Sequence, residues 1–447
     1  MRRGPAFALV GGACLLVAST LVERPAVHAG TAIPAGFAEP PLPPLARIAR
    51  AEAAPEERAP STPLPVAGLD LAHIALGDGV PTATARAGRA QLTLEADLQQ
   101  TAAALMRGRH LPEAAVVLMN VASGRLLVYA SHVEGGPDRD LCVEATAPSA
   151  SVFKIVTAAA LIEDAHLGPD TRQCYLGGEQ RIGALDLVDD PQRDKWCTTL
   201  AGAMGRSINA VFARLAKEHL TPEQLDAMAR RFGYGQSLPF DVPVQPSAIH
   251  VPNDPLEFAR TAAGFWNSTL SPIGAAEISA IVARGGESIR PRIVDKIVDG
   301  SGAVVWAAPD TPSSSRAIAS DAAEKIATMM RHTVSDGTSW RAFHDPRGGA
   351  FLPGVTVAGK TGTLTDGQSH RYYTWFTGFA PSQPEPGIEQ VAVAVLVVNG
   401  PTWQIKANAL ARDVLRAYFA SRGLKGITRP SYGGRRAGGF DRRTRRR

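Results

Sequence analysis

Between positions 92 and 105 the apolar residues recur at helical spacing, with Asp and Gln on the other face, which predicts an amphipathic helix. Two β-rich runs follow, 115–121 and 125–131, joined by Ala122-Ser123-Gly124, a hairpin signal. A second β-rich block lies far downstream, at 355–365, 373–379 and 391–399. Helical patterns fill the interval, at 151–165, 222–232 and 270–283, and 401–421 reads as a closing amphipathic helix. Strands at both ends with helices between predict an α+β domain whose single antiparallel sheet is completed by distant segments. The run from 152 to 162 is apolar all round, so that helix is expected to be central and buried.

The flanks have a different texture. Arg2 and Arg3 precede an apolar run from 7 to 22, after which Glu23 and Arg24 restore polarity. Residues 1–29 therefore read as a signal peptide or membrane anchor. The run is short for a spanning helix, and Val27-His28-Ala29 before Gly30 equally suits a small-residue cleavage site. A lipoprotein reading at Cys14 fits less well, because Gly11 stands where a large aliphatic residue is expected. Residues 30–90 are dense in Pro and Ala and read as a semi-extended linker, in which 69–76 is an apolar piece able to dock on the domain. The folded domain is expected over 91–425, followed by a basic disordered tail at 426–447.

Charge changes the choice of partner. The chain of 447 residues has a net charge of +5, yet the stretch from Gly433 holds seven Arg against one Asp. The basic excess thus belongs to the tail, and nucleic acid is not the expected partner. Of the four cysteines, Cys14 lies in the export segment, leaving Cys142, Cys174 and Cys197. An exported chain meets an oxidising compartment, and any single bridge among the three is open; Cys174 with Cys197 is favoured, closing a loop rich in Gly and Asp. Zinc is not expected, since no Cys-x-x-Cys pair or companion His is present.

Three short motifs carry the chemistry. In Ser151-Val152-Phe153-Lys154, the serine and lysine are three apart and share a helix face. Lys154 is hemmed by Phe153, Ile155 and Val156, and burial lowers a lysine's pKa, giving an amine able to take a proton from Ser151. In Ser207-Ile208-Asn209, the preceding Gly205-Arg206 favours a loop from which both side chains reach one cleft, Ser207 to relay the proton and Asn209 to hold a substrate amide. In Lys360-Thr361-Gly362-Thr363, strand alternation sends the two threonines to one side. Gly362 leaves room for a substrate backbone along the strand, and Lys360 with the two hydroxyls suits a terminal carboxylate. The backbone N–H groups of Ser151 and Thr363 would form the oxyanion hole. Ordinary explanations exist for each motif alone: a helix cap with a snorkelling lysine, a capping turn, an exposed edge lysine. All three in this order make them poor.

With those residues in place, the chain resembles the stand-alone, monofunctional D,D-transpeptidase domain of penicillin-binding proteins, in the serine β-lactamase/transpeptidase-like superfamily. The likeness runs over about 91–423. It includes Leu92-Thr93-Leu94 with Leu98-Gln99, Ser123-Gly124-Arg125-Leu126-Leu127, Leu270-Ser271-Pro272 with Arg284-Gly285-Gly286, and Gly337-Thr338 upstream of Lys360. Trp375-Phe376-Thr377-Gly378-Phe379-Ala380-Pro381 is similar to the family's strand after the lysine motif. The resemblance implies a five-stranded antiparallel sheet flanked by helices, with a helical subdomain and the site at their junction. It implies cross-linking of peptidoglycan stem peptides through an acyl-enzyme on Ser151, β-lactam antibiotics that mimic the donor, and no metal or organic cofactor. Location in the bacterial cell envelope is implied too, inner-membrane anchored or periplasmic, with cell-wall synthesis proteins as further partners. No glycosyltransferase domain or sizeable N-terminal pedestal is expected. The nearest alternative is a class D-like serine β-lactamase or β-lactam sensor, but those families typically carry Val where this chain has Asn209. D,D-carboxypeptidase activity would use the same site with water as acceptor.

Overall fold

The computed structural model describes residues 66–431 apart from 78, 179–180, 311 and 367. The segment read as signal or anchor, the linker as far as 65 and the Arg-rich stretch lie outside the described residues. Among the described residues no helix is long and apolar enough to cross a membrane.

The central sheet has five strands in the order Ala358–Asp366, Arg371–Ala380, Val391–Asn399, Glu113–Asn120, Leu126–Val133, every neighbouring pair antiparallel. The early and late β-rich blocks thus meet in one α+β sheet, as expected. At the seam Val393 stands opposite Leu118 and Ala394 opposite Val117. Strand Val391–Asn399 is the middle one and is buried along its whole length, which explains its unbroken apolar run. Val391, Val393, Val395 and Val397 pack with helices Ala96–Arg107 and Ala407–Ser421 on one face. Ala392, Ala394, Leu396 and Val398 pack with Lys154–Glu163 and Pro272–Ala283 on the other. The Thr377 hydroxyl fastens that second layer, donating to Ala275 O at 2.6 Å.

Several boundaries differ from expectation for local reasons. The closing helix starts at Ala407 rather than 401, because Asn399 ties the connection first: its Oδ1 accepts from Gln404 N at 2.9 Å and its Nδ2 donates to Ile405 O at 3.0 Å. The helix expected from 151 begins with a 3-10 turn, Ala150–Phe153, and becomes α-helical at Lys154. The last part of the expected linker is a hairpin, Thr82–Ala85 with Gly88–Leu92, joined to Val294–Val298 and Val304–Ala307 in a second, four-stranded sheet. Its inward positions are Ala83, Ala85, Ala90 and Leu92, all buried. An Ala-rich composition that reads as spacer is here a strand face built of small side chains. Leu69, Leu71 and Ile74 dock on the same core. Ile427, just inside the expected tail, is also buried.

A helical region between the two β-rich blocks carries the excursion 172–199. Strands Arg172–Tyr175 and Trp196–Thr199 pair there, and Cys174 and Cys197, directly opposite, form a disulfide. Cys142 is a free, buried thiol.

Candidate active site

The Ser151 turn is held from every side. Pro148 closes a two-residue strand against Thr269–Leu270, and Ala150 sits at φ +50°, in the left-handed region that costs a side-chain-bearing residue about 1–2 kcal/mol. Five contacts hold that conformation in place. Trp375 Nε1 donates to Pro148 O at 2.9 Å, and Ser149 N donates to Ser268 O at 3.0 Å. The Tyr234 hydroxyl donates to Ser149 Oγ at 3.0 Å, while its ring meets Phe153 edge-on at 5.4 Å. Gly264 lies against the turn so closely that a Cβ there would stand 2.4 Å from Ala150 O. In a 3-10 turn residues three apart eclipse one another. Lys154 Nζ accordingly reaches Ser151 Oγ at 2.8 Å, closer alignment than the α-helical start expected for this segment.

The middle motif is a joint between two helices rather than a free loop. Helix Leu200–Arg206 ends at Ser207, which takes the left-handed conformation (φ +59°), and helix Asn209–His219 starts two residues later. The reversal turns both side chains onto Lys154: its Nζ lies 3.5 Å from Ser207 Oγ and donates to Asn209 Oδ1. The amide oxygen of Asn209 therefore faces the lysine. Gly205 permits the joint, since a Cβ on it would fall 2.6 Å from His332 Cβ.

Lys360 comes from the edge strand Ala358–Asp366 and is fully buried, not presented to solvent. Its Nζ donates to Ser207 Oγ and to Thr361 O, each at 2.8 Å. Thr361 and Thr363 alternate to the more exposed side as predicted. Gly362 is also needed for the packing of the strand itself. Its missing Cβ would lie 3.1 Å from both Ala150 Cβ and Trp375 Cβ, so it allows the strand to approach the Ser151 turn. The residues read from the sequence, Ser151, Lys154, Ser207, Asn209 and 360–363, thus converge at one place.

Two lysines now share one serine hydroxyl, and neither has a carboxylate partner among the described residues. Burial is the main force holding the Lys154 ammonium well below the ordinary lysine range, and the charge of Lys360 adds to it. Burial likewise lowers Lys360 to about 7. Both shifts favour the neutral amine, the form of Lys154 whose lone pair is available to Ser151. The order Ser151–Lys154–Ser207–Lys360 forms a connected path for a proton.

Motif reading alone missed the supporting residues. Thr338 was legible only as part of a Gly-Thr pair, yet its hydroxyl lies 2.6 Å from that of Thr361 and its N–H donates to Gly205 O at 3.0 Å. Nothing in the local sequence marks Ala150, Tyr234 or Gly264 as neighbours of the serine. Trp375 stood in a recognisable strand, without any sign of what its indole N–H would bind.

The family described as the penicillin-binding protein transpeptidase domain matches residues 114–416. Among curated proteins, the peptidoglycan D,D-transpeptidase PbpA of Mycobacterium tuberculosis is 28% identical over 305 residues, 63% of this chain and 56% of that protein. Stage V sporulation protein D of Bacillus subtilis is 27% identical over 296 residues, 62% of this chain and 44% of that protein. The chain therefore spans between two fifths and three fifths of the length of these relatives. Among solved structures, the D,D-transpeptidase domain of a peptidoglycan glycosyltransferase from Eggerthella lenta has a TM-score of 0.60 at 24% identity, covering 75% of this chain and 84% of that one. The penicillin G acyl-enzyme complex of penicillin-binding protein A from M. tuberculosis gives 0.59 at 22% identity, covering 75% and 80%. These likenesses support the fold, and the family match extends over more than half of the sequence, through every one of the converging motifs; the chain belongs to the penicillin-binding protein transpeptidase domain family.

Proposed function

We propose that this protein is a penicillin-binding D,D-transpeptidase that cross-links peptidoglycan stem peptides. The observation that carries the reading is the 2.8 Å approach of a fully buried Lys154 Nζ to Ser151 Oγ. Family membership and the PbpA relatives support it. Ser151 Oγ attacks the penultimate D-alanine carbonyl carbon as its proton passes to Lys154 Nζ. The oxyanion is received by the backbone N–H groups of Ser151 and Thr363. Collapse breaks the C–N bond, and the departing D-alanine amine takes the proton back from Lys154 by way of Ser207. An amine of a second stem then attacks the Ser151 ester, returns its proton along the same path and frees the serine. Thr361, Thr363 and the charged fraction of Lys360 receive the donor's terminal carboxylate, and Asn209 orients the donor amide once substrate enters. A β-lactam enters as the donor does, and its opened ring leaves Ser151 acylated. Such a protein works in the bacterial cell envelope, held at the inner membrane or free in the periplasm, and cell-wall synthesis proteins are its natural company.

Fluorescent penicillin tests this directly. The wild type is expected to form a covalent adduct that persists for hours, and Ser151→Ala is expected to form none. Labelling that survives in Ser151→Ala would remove the nucleophile. Adduct hydrolysis within seconds would turn the assignment toward a β-lactamase.

A further inference from the structure

Both ends of the middle motif hang on the disulfide-closed excursion 172–199. Helix Leu200–Arg206, which delivers Ser207, grows directly out of strand Trp196–Thr199, with Thr199 as its cap: the Thr199 hydroxyl accepts from Gly202 N at 3.1 Å. Arg206, one residue before Ser207, donates back to Thr198 Oγ1 at 2.7 Å. Helix Asn209–His219, which delivers Asn209, is tied to the same excursion by Arg214. The Arg214 side chain is 2% exposed and each of its three guanidinium nitrogens is engaged there. It donates to Cys174 O at 2.8 Å, to Asp189 Oδ1 at 3.0 Å and to Asp194 Oδ1 at 3.0 Å, and also to Asp194 Oδ2 and Asp186 O. Gln173 Nε2 shares Asp189 Oδ1 at 2.8 Å, which braces the loop from its other strand. Close by, Gly178 (φ +66°) rests on the first turn of the same helix, where a Cβ would lie 2.7 Å from Ala210 Cβ.

We propose that Arg214 and the Cys174–Cys197 bridge are positioning groups for acyl transfer, fixing the Ser207–Asn209 joint on Lys154. This inference rests on the reading of Ser151 and Lys154 given above. Arg214 touches neither substrate nor the reacting atoms. It binds the carbonyl of one bridged cysteine, so the disulfide, the guanidinium and the helix behind Asn209 form one rigid unit. A lysine at 214 would keep the charge but lose the planar fork that reaches carbonyls and carboxylates together. The bridge keeps the two strands from parting under the load of the loop between them. Slackening of either lets the joint drift, and a drift of about 1 Å at a catalytic group costs on the order of a hundredfold in rate.

The test compares wild type, Arg214→Lys and Cys174→Ala/Cys197→Ala as full chains, reacted with a chromogenic β-lactam well below their melting temperatures. The acylation burst counts the competent molecules, and saturation kinetics separate reversible binding from the acylation rate constant per competent molecule. Both variants are expected to lose about tenfold or more in that rate constant, with the binding constant changed less than threefold. A rate constant within twofold of wild type, with the loss confined to burst amplitude or melting temperature, would overturn the proposal, since a purely structural brace would give that pattern. If Arg214→Lys does not fold, the cysteine variant alone decides by the same criterion. Wild type that takes no label at all would remove the transpeptidase reading, and this proposal with it.

Discussion

Gly264 offers a test of how tightly the serine turn is determined, because it carries no reactive group. Its φ of +85° disfavours any side chain, and an added Cβ would fall 2.4 Å from Ala150 O, 2.8 Å from Ala150 C and 3.1 Å from Ser151 Cα. Ordinary contact begins near 3.4 Å, so in Gly264→Ala something must yield by about 1 Å. Backbone atoms on one side and a buried turn on the other leave the Ser151 segment to move. Such a displacement corresponds to roughly a hundredfold loss in acylation rate, on top of a stability cost of about 1 kcal/mol or more for alanine at positive φ. Stopped-flow acylation by a chromogenic cephalosporin reads the rate, and active-site titration corrects for unfolded protein. A rate per titrated site within threefold of wild type would refute the reasoning, showing that the strain relaxes away from Ser151.

Lys154→Ala should lower the acylation rate by 10²–10⁴-fold, the usual contribution of a positioned base; near-normal acylation would remove its role. The pH profile of acylation should fall on the acid side where the depressed Lys154 gains its proton, well below the ordinary lysine range, and on the alkaline side at about 7 as Lys360 loses its charge. Lys360→Arg should then carry the alkaline limb upward, and an unmoved limb would assign it to another group. Glu277 is buried with Oε1 accepting from Ile289 N at 2.8 Å, and burial raises its pKa to about 8. That pKa lies above the unfolded value, so the stability it lends is complete below about 4.5 and is lost as pH rises through about 8. Glu277→Gln should flatten this dependence and stabilise the protein at pH 7 by on the order of 3 kcal/mol, measured by urea unfolding; equal slopes in both proteins would contradict it.

Much of the fold was legible where burial leaves a periodic trace. Val391–Asn399 reads as a strand because both faces are covered, and 92–105 reads as a helix, formed over Ala96–Arg107, because only one is. The hairpin Thr82–Ala85 with Gly88–Leu92 was not legible, since alanine marks a spacer and a thin strand face equally well. The three motifs were readable because each holds polar groups that an apolar setting would otherwise reject. Their exact service was less readable. Gly362, read as clearance for substrate, also clears Ala150, and Asn209, read as holding a substrate amide, also faces Lys154.

What the residue string determined by itself was the kind of chemistry: a serine three before a lysine in an apolar helix, and two further polar motifs in order. Local spacing suffices for that, because one turn of helix brings such a pair together. Only the tertiary structure decided the state of those groups. The depressed Lys154 arises from burial and from Lys360, more than two hundred positions away in sequence, and the left-handed Ala150 is held by Trp375, Tyr234 and Gly264. Desolvation and steric closure depend on everything that packs around a group, and no short window of sequence contains those neighbours.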